Sequence, residues 1–342
     1  MCIPAILAFQ RTYPQWRITF VTKKPFAALF SRIPGVEVLI ADTTGRHRGL
    51  RGLWKLSRDL KATQPSRVAD LHNVLRTRLV RLFLFGSGIP VFRLNKGRAE
   101  KKKLTALQNK KWAPLKSTHQ RYADVFTALG LPVEISAKDH LRREPWPSSM
   151  KALQPPEGWL KIGIAPFAAH EGKCYPEELM KEVIALLEKG ATRRIFLFGG
   201  GKSEAERLAR WEAEFQHCIS VAGKGSLSEE LALISNLDLM VSMDSGNGHL
   251  AAMYGVPVLT LWGVTHPYAG FAPFGQPESH RLMADRQKFP QIPTSVYGNK
   301  VPPGYERAME TIAPDRVYAL ITEILSGGQS FQASTTGESD RK

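Results

Sequence analysis

The sequence predicts an α/β protein of two halves, each a parallel sheet wound between helices in Rossmann-like fashion. Three observations point there. A chain of 342 residues with 43% hydrophobic content suits two domains of about 150 residues. Short apolar runs alternate with amphipathic stretches. A proline-rich stretch separates a loosely patterned first half from a sharply patterned second one.

In the second half, residues 161–167, 193–200, 218–223, 237–246 and 256–263 are runs rich in Ile, Val, Leu and Phe and read as strands. Between them lie amphipathic segments at 176–190, 203–216, 226–236 and 248–255. Pro176 stands at a helix start with acids behind it, and Ser226 with Glu229 fits a capping box. In the first half, residues 16–22, 36–42, 66–71 and 89–94 read as strands, and 3–12, 73–85 and 118–129 as helices. The expected organisation is a first domain over 1–145, a linker over 146–158, a second domain over 159–325, and a disordered Gly/Ser/Thr-rich tail over 326–342. A Rossmann-like domain normally opens with a strand whose loop lines the ligand crevice. Here Met1 leads straight into a helix-like stretch, so that strand is expected to be missing from the first domain.

Charge is divided unevenly. The net +16 comprises +19 over residues 1–157 (29 Lys/Arg, 10 Asp/Glu) and −3 over the remainder. Such a field suggests an anionic partner for the first half: nucleic acid, an anionic membrane surface or a polyanionic substrate. Cys2, Cys174 and Cys218 lack disulfide or zinc spacing and read as reduced packing residues. No apolar run reaches the ~20 residues of a membrane span, and no signal peptide is legible, so a cytoplasmic location is expected.

Three strand-to-helix loops carry candidate chemistry. After the fourth strand of the second half comes "DSGNGHLAA": Asp244, Ser245, Gly246, Asn247, Gly248 and His249, opening directly into a helix. Free N–H groups and the helix dipole favour phosphate there, and glycine allows close approach. A dinucleotide fingerprint is matched formally, but it wants an acid about 20 residues on, and none precedes Glu278. The loop after the first strand places Lys173 near His170 and Gly172, where it can meet a phosphate as a point charge. The loop "GGGKSE" (199–204) ends like a P-loop but has Phe196 where that motif needs its first glycine, leaving Glu204 as a candidate for ribose hydroxyls.

"DSGNGHLAAMYGVPVLTLWGVTHP" together with "IGIAPFAAHEGKCYPEE" resembles glycosyltransferase family 9, the lipopolysaccharide heptosyltransferases, and the likeness extends through "ADLHNVLRTRLVRLF", "GRAEKKKLTAL" and "QRYADVFTALGLP". The resemblance implies a GT-B fold, two Rossmann-like domains facing a cleft, with an ADP-sugar on the C-terminal one. It implies that Lys173 and the backbone from Asp244 to His249 hold the donor diphosphate, that Glu204 binds the ribose, and that Lys224-Gly225-Ser226 lies near the adenine. No metal and no cofactor are implied, since helix dipoles and Lys173 would neutralise the leaving diphosphate.

The family's general base looks like an Asp in a Gly-Asp-Val loop after the first strand. Here that Asp would lie before Met1: the favoured expectation is a true start lying upstream, the alternative a truncated chain with impaired catalysis. Arg76, Arg78, Lys96, Arg98 and Arg121 become candidates for an anionic lipopolysaccharide-type acceptor at the inner-membrane surface, with the enzyme a monomer. Competing readings are a sugar-nucleotide epimerase of the same fold, or a non-catalytic nucleic-acid or membrane binder. Nucleic-acid recognition motifs are not visible.

Overall fold

The computed structural model describes residues 1–190 and 192–335. They form two compact units: Met1–Gly97 with Lys116–Leu141, and Arg98–Leu115 with the chain from Arg142 onward.

The first unit contains α1 (Ile3–Thr12), β1 (Ile18–Thr22), β2 (Val36–Ile40), α2 (Gly49–Ala62), β3 (Val68–Asp70), α3 (Leu75–Leu84) and β4 (Val91–Arg93); α4 (Arg98–Leu104) departs to the second unit, and α5 (Thr118–Ala128) returns to the first. Its strands form two parallel pairs, β1–β2 and β3–β4. Ala5, Ala8 and Phe9 of α1 pack with Ala123 and Phe126 of α5, while Leu53, Leu56, Val80 and Leu84 join α2 to α3. Arg11 donates through Nε and Nη2 to the two carboxylate oxygens of Asp139, at 3.1 and 3.0 Å, pinning the end of the unit to its start. Helix α2 has no counterpart among the expected elements. Leu53, Leu56 and Leu60 have helical spacing, but the basic residues between them dilute the apolar pattern.

The second unit continues with β5 (Leu160–Ala165), α6 (Glu177–Glu188), β6 (Arg193–Leu197), α7 (Gly201–Glu214), β7 (Cys218–Ser220), α8 (Leu227–Ile234), β8 (Leu239–Met243), α9 (Gly246–Ala252), β9 (Val258–Trp262), β10 (Arg281–Met283) and α10 (Pro314–Thr335). Six parallel strands lie in the order β10-β9-β8-β5-β6-β7. Ile162 and Ile164 of β5 pair with Leu239 and Val241 of β8, and these residues are fully buried with Val183, Ile184 and Leu187 of α6 and Ile321 of α10. Burial on both faces explains why these strands read as continuous apolar runs. The capping box is present: the Ser226 hydroxyl accepts from the Glu229 N–H, and the Glu229 carboxylate accepts from the Ser226 N–H.

The structure departs from the expected organisation at three places. Arg98–Leu115, placed by sequence in the first domain, is a strap on the second unit, held by aromatic and cationic contacts described below. The proline-rich 146–158 stretch is packed rather than free: Ser148–Leu153 forms a 3₁₀ turn, the Trp146 indole donates to the Met150 carbonyl at 2.9 Å, and Met150 is only 2% exposed. Finally, α10 passes Leu325 and runs to Thr335. The Gly327-Gly328 pair costs about 1 kcal/mol per glycine relative to alanine and does not stop it. The rest of the expected tail, 336–342, lies outside the described residues.

Candidate functional site

The strand order reverses between β5 and β8. At such a switch point the loops leave in opposite directions and open a crevice at the carboxyl ends of the strands. Lys173 reaches it from the 3₁₀ turn Glu171–Lys173 after β5, and Asp244 from the end of β8. Lys173 Nζ donates to the Asp244 carbonyl at 2.5 Å and lies 3.5 Å from Asp244 Oδ2. Both side chains are largely withdrawn from water, 13% and 9% exposed. Burial pushes the Asp244 carboxyl above its ordinary range, against the pull of Lys173.

Helix α9 begins immediately beyond. Ser245 takes the N-cap position with extended backbone, yet its hydroxyl makes no cap bond. Its Oγ is buried and has no hydrogen-bond partner among the described residues, an arrangement that favours a polar ligand. The two glycines differ in purpose. A Cβ on Gly246 would meet nothing within 4 Å, whereas one on Gly248 would lie 2.5 Å from Ser242 Oγ. Gly248 therefore lets α9 sit on β8, and Gly246 leaves the crevice open. Asn247 is half-buried between them.

A pocket of about 250 Å³ results, lined by Lys173, Asp244, Ser245, Gly246 and His249 together with Ala169, Phe271, Val296 and Tyr297. Glu204 and Gly225 are not among its lining residues. The Glu204 carboxylate accepts from the Gly200 N–H at 2.7 Å and closes the start of α7. Gly225 accommodates Met150, whose Cε would stand 2.4 Å from an added Cβ. Both nonetheless follow strands of the same carboxyl edge, β6 and β7.

The aromatic wall escaped the sequence reading. Its residues sit singly in segments without periodicity, and tertiary packing brings them together. Gly298, at φ +81°, lies against the Lys173 stem, where a Cβ would approach Cγ to 2.4 Å. The Ser295 hydroxyl accepts from the N–H groups of Tyr297 and Gly298 at 3.2 and 3.0 Å. The strap supports the same region. Lys101 Nζ lies 3.9 Å from the Phe271 ring centre, and Trp112 packs against His266 and Tyr268 with centroids 4.8 Å apart in each case. The Arg286 guanidinium lies 3.5 Å over the Trp112 ring. Lys110 Nζ donates to the carbonyls of Leu104 and Pro293 at 2.9 and 2.7 Å. Burial, with the Arg286 charge, pushes the Lys110 amine down to about 8.

Among the expected acceptor residues, Arg76 and Arg78 are exposed on α3, and Lys96 follows β4. Arg98 opens α4 and so belongs to the second unit. Arg121 is only 4% exposed; its Nε donates to the Lys116 carbonyl at 3.2 Å, and its guanidinium packs against Gly97. It fixes the turn that ends the strand region. His72, not singled out by sequence, is depressed by burial and then by the charges of Lys96, Arg76 and Lys23, with Asp70 opposing.

The model of "Glycosyltransferase family 9 (heptosyltransferase)" matches residues 53–299. The chain belongs to this family. As a family 9 protein it is a glycosyltransferase of the GT-B fold, as its sequence predicts. It is 25% identical over 271 residues to the lipopolysaccharide core heptosyltransferase OpsX of Haemophilus influenzae, covering 75% of this chain and 73% of that one. It is 25% identical over 294 residues to lipopolysaccharide heptosyltransferase 1 of Pseudomonas aeruginosa, covering 81% and 78%. Its fold is similar to that of a family 9 glycosyltransferase of Veillonella parvula, with a TM-score of 0.72 at 18% identity over 96% of this chain and 95% of that one. The Escherichia coli ADP-heptose lps heptosyltransferase II gives a TM-score of 0.69 at 20% identity, with the same coverage.

Proposed function

We propose that this family 9 glycosyltransferase moves a heptose, or a closely related sugar, from an ADP-sugar to a lipopolysaccharide-core acceptor by inverting displacement without a metal. The observation that carries the reading is the pocket at the β5/β8 switch. It places the Lys173 ammonium, an unpartnered Ser245 hydroxyl and the opening N–H groups of α9 around one crevice, with Gly246 leaving the backbone accessible. Those groups meet the charge that develops as the nucleoside diphosphate departs. Asp244 holds Lys173 in place through its carbonyl and carboxylate. The relatives' names, lipopolysaccharide core heptosyltransferase and ADP-heptose heptosyltransferase, support the sugar, nucleotide and acceptor class.

The acceptor reading is supported by the net +13 of the first unit and by an exposed face of α3 on which Leu75, Arg78, Leu82 and Phe85 follow one another at helical spacing. Apolar side chains flanked by arginine suit the boundary between acyl chains and anionic head groups. On this reading the protein works at the cytoplasmic face of the inner membrane.

ADP should raise the melting temperature of the protein, and Lys173→Met should remove that stabilisation while leaving the unliganded melting temperature within a few degrees. Stabilisation by NAD but not by ADP would overturn the assignment.

A further inference from the structure

Resting on the nucleotide-sugar reading above, we infer that Phe271 and Tyr297 form the subsite for the transferred sugar of the donor, holding the C–H face of its pyranose ring. The two rings lie with centroids 6.1 Å apart, tilted by 47°, and both line the pocket that Lys173 also lines. Strand order, taken with the ribose role that the family resemblance gives Glu204, sets which part of the donor they face. From one end of the carboxyl edge to the other, the loops follow β7 (Gly225), β6 (Glu204), β5 (Lys173) and β8 (Asp244, Ser245), and then β9 and β10, whose connections carry Phe271 and Tyr297. Adjacent strands stand about 4.8 Å apart, so a nucleotide sugar laid along this edge with its diphosphate at Lys173 has two directions available. With ribose and base toward β6 and β7, the sugar falls on the β9/β10 side.

The chemistry of that side fits a sugar rather than more phosphate. The electron-rich faces of the rings attract the polarised C–H groups of a pyranose, whose hydroxyls remain at the rim. Tyr297 is 57% exposed, with its backbone anchored by the Ser295 hydroxyl, so its ring has a fixed origin and an open face. Lys101, mostly buried, packs 3.9 Å from the Phe271 ring centre.

Calorimetric titration of the full chain with ADP and with ADP-heptose tests this. Tyr297→Ala should bind ADP as the wild type does and ADP-heptose about tenfold more weakly, and Tyr297→Phe should restore the sugar nucleotide. The inference is overturned if Tyr297→Ala leaves both affinities unchanged, if it weakens both equally, or if the wild type binds ADP and ADP-heptose with equal affinity. A wild type that binds neither removes the donor reading itself, and this subsite with it. An unchanged melting temperature of Tyr297→Ala separates these outcomes from loss of fold.

Discussion

His266 shows how a single side chain reports on the strap. It is 4% exposed, its Nδ1 accepts from the Tyr268 N–H at 3.1 Å, and Trp112 covers it. Burial, then the charges of Arg286, Arg281 and Lys110, push its imidazole down from 6.5 to about 4. Between those values the unfolded chain binds a proton that the native one refuses. Stability therefore falls as pH drops from about 6.5 to about 4, by roughly 2–3 kcal/mol. Asn at this position can still accept from Tyr268 and does not titrate. Wild type should lose more melting temperature between pH 7 and 4.5 than His266→Asn; parallel losses would show that His266 does not titrate in this window. At this scale Lys173 and Asp244 were legible because they stand in motifs that end strands. Tyr297 was not, because one aromatic in an unpatterned loop carries no sign of what it will face.

At the scale of elements, α9 joins structure to chemistry. Gly246→Ala and Gly248→Ala are the same change two residues apart, and their effects should separate. At Gly248 the methyl group would press on Ser242 Oγ at 2.5 Å, in a fully buried strand that cannot yield. Overpacking should cost about 1–3 kcal/mol, exceeding the helix propensity gained. At Gly246 the methyl meets no neighbour and projects beside the pocket, so the melting temperature should hold or rise while the ADP-induced shift shrinks. Equal destabilisation by both variants would contradict this division of roles. The long apolar strands and the capped helix α8 were readable from the chain because burial on two faces and reciprocal capping leave local signatures. Strand β10 has three residues at a sheet edge, too few to form a pattern, and α2 hid its leucines among basic residues.

For the whole molecule, packing redistributes the charge. The strap carries six Lys/Arg and one Glu, so by spatial unit the +16 divides into +13 and +3. The first unit also bears the exposed Leu75, Leu82 and Phe85 beside Arg78. Vesicles containing anionic lipid should bind the protein more tightly than neutral ones, with binding falling as salt rises. Leu82→Ser with Phe85→Ser should weaken that binding and leave stabilisation by ADP untouched. Indifference to both lipid charge and this double change would count against α3 as the membrane-facing surface.

By itself the sequence determined the alternation of strands and helices, the strand-to-helix loop at 244–249 and the family, because periodicity, capping and glycine placement are local properties of the chain. Only the tertiary structure decided that the strap joins the second unit, that Glu204 and Gly225 stand outside the pocket, and that Phe271 and Tyr297 wall it. Those facts depend on contacts between residues far apart in sequence, which packing selects and no local pattern encodes.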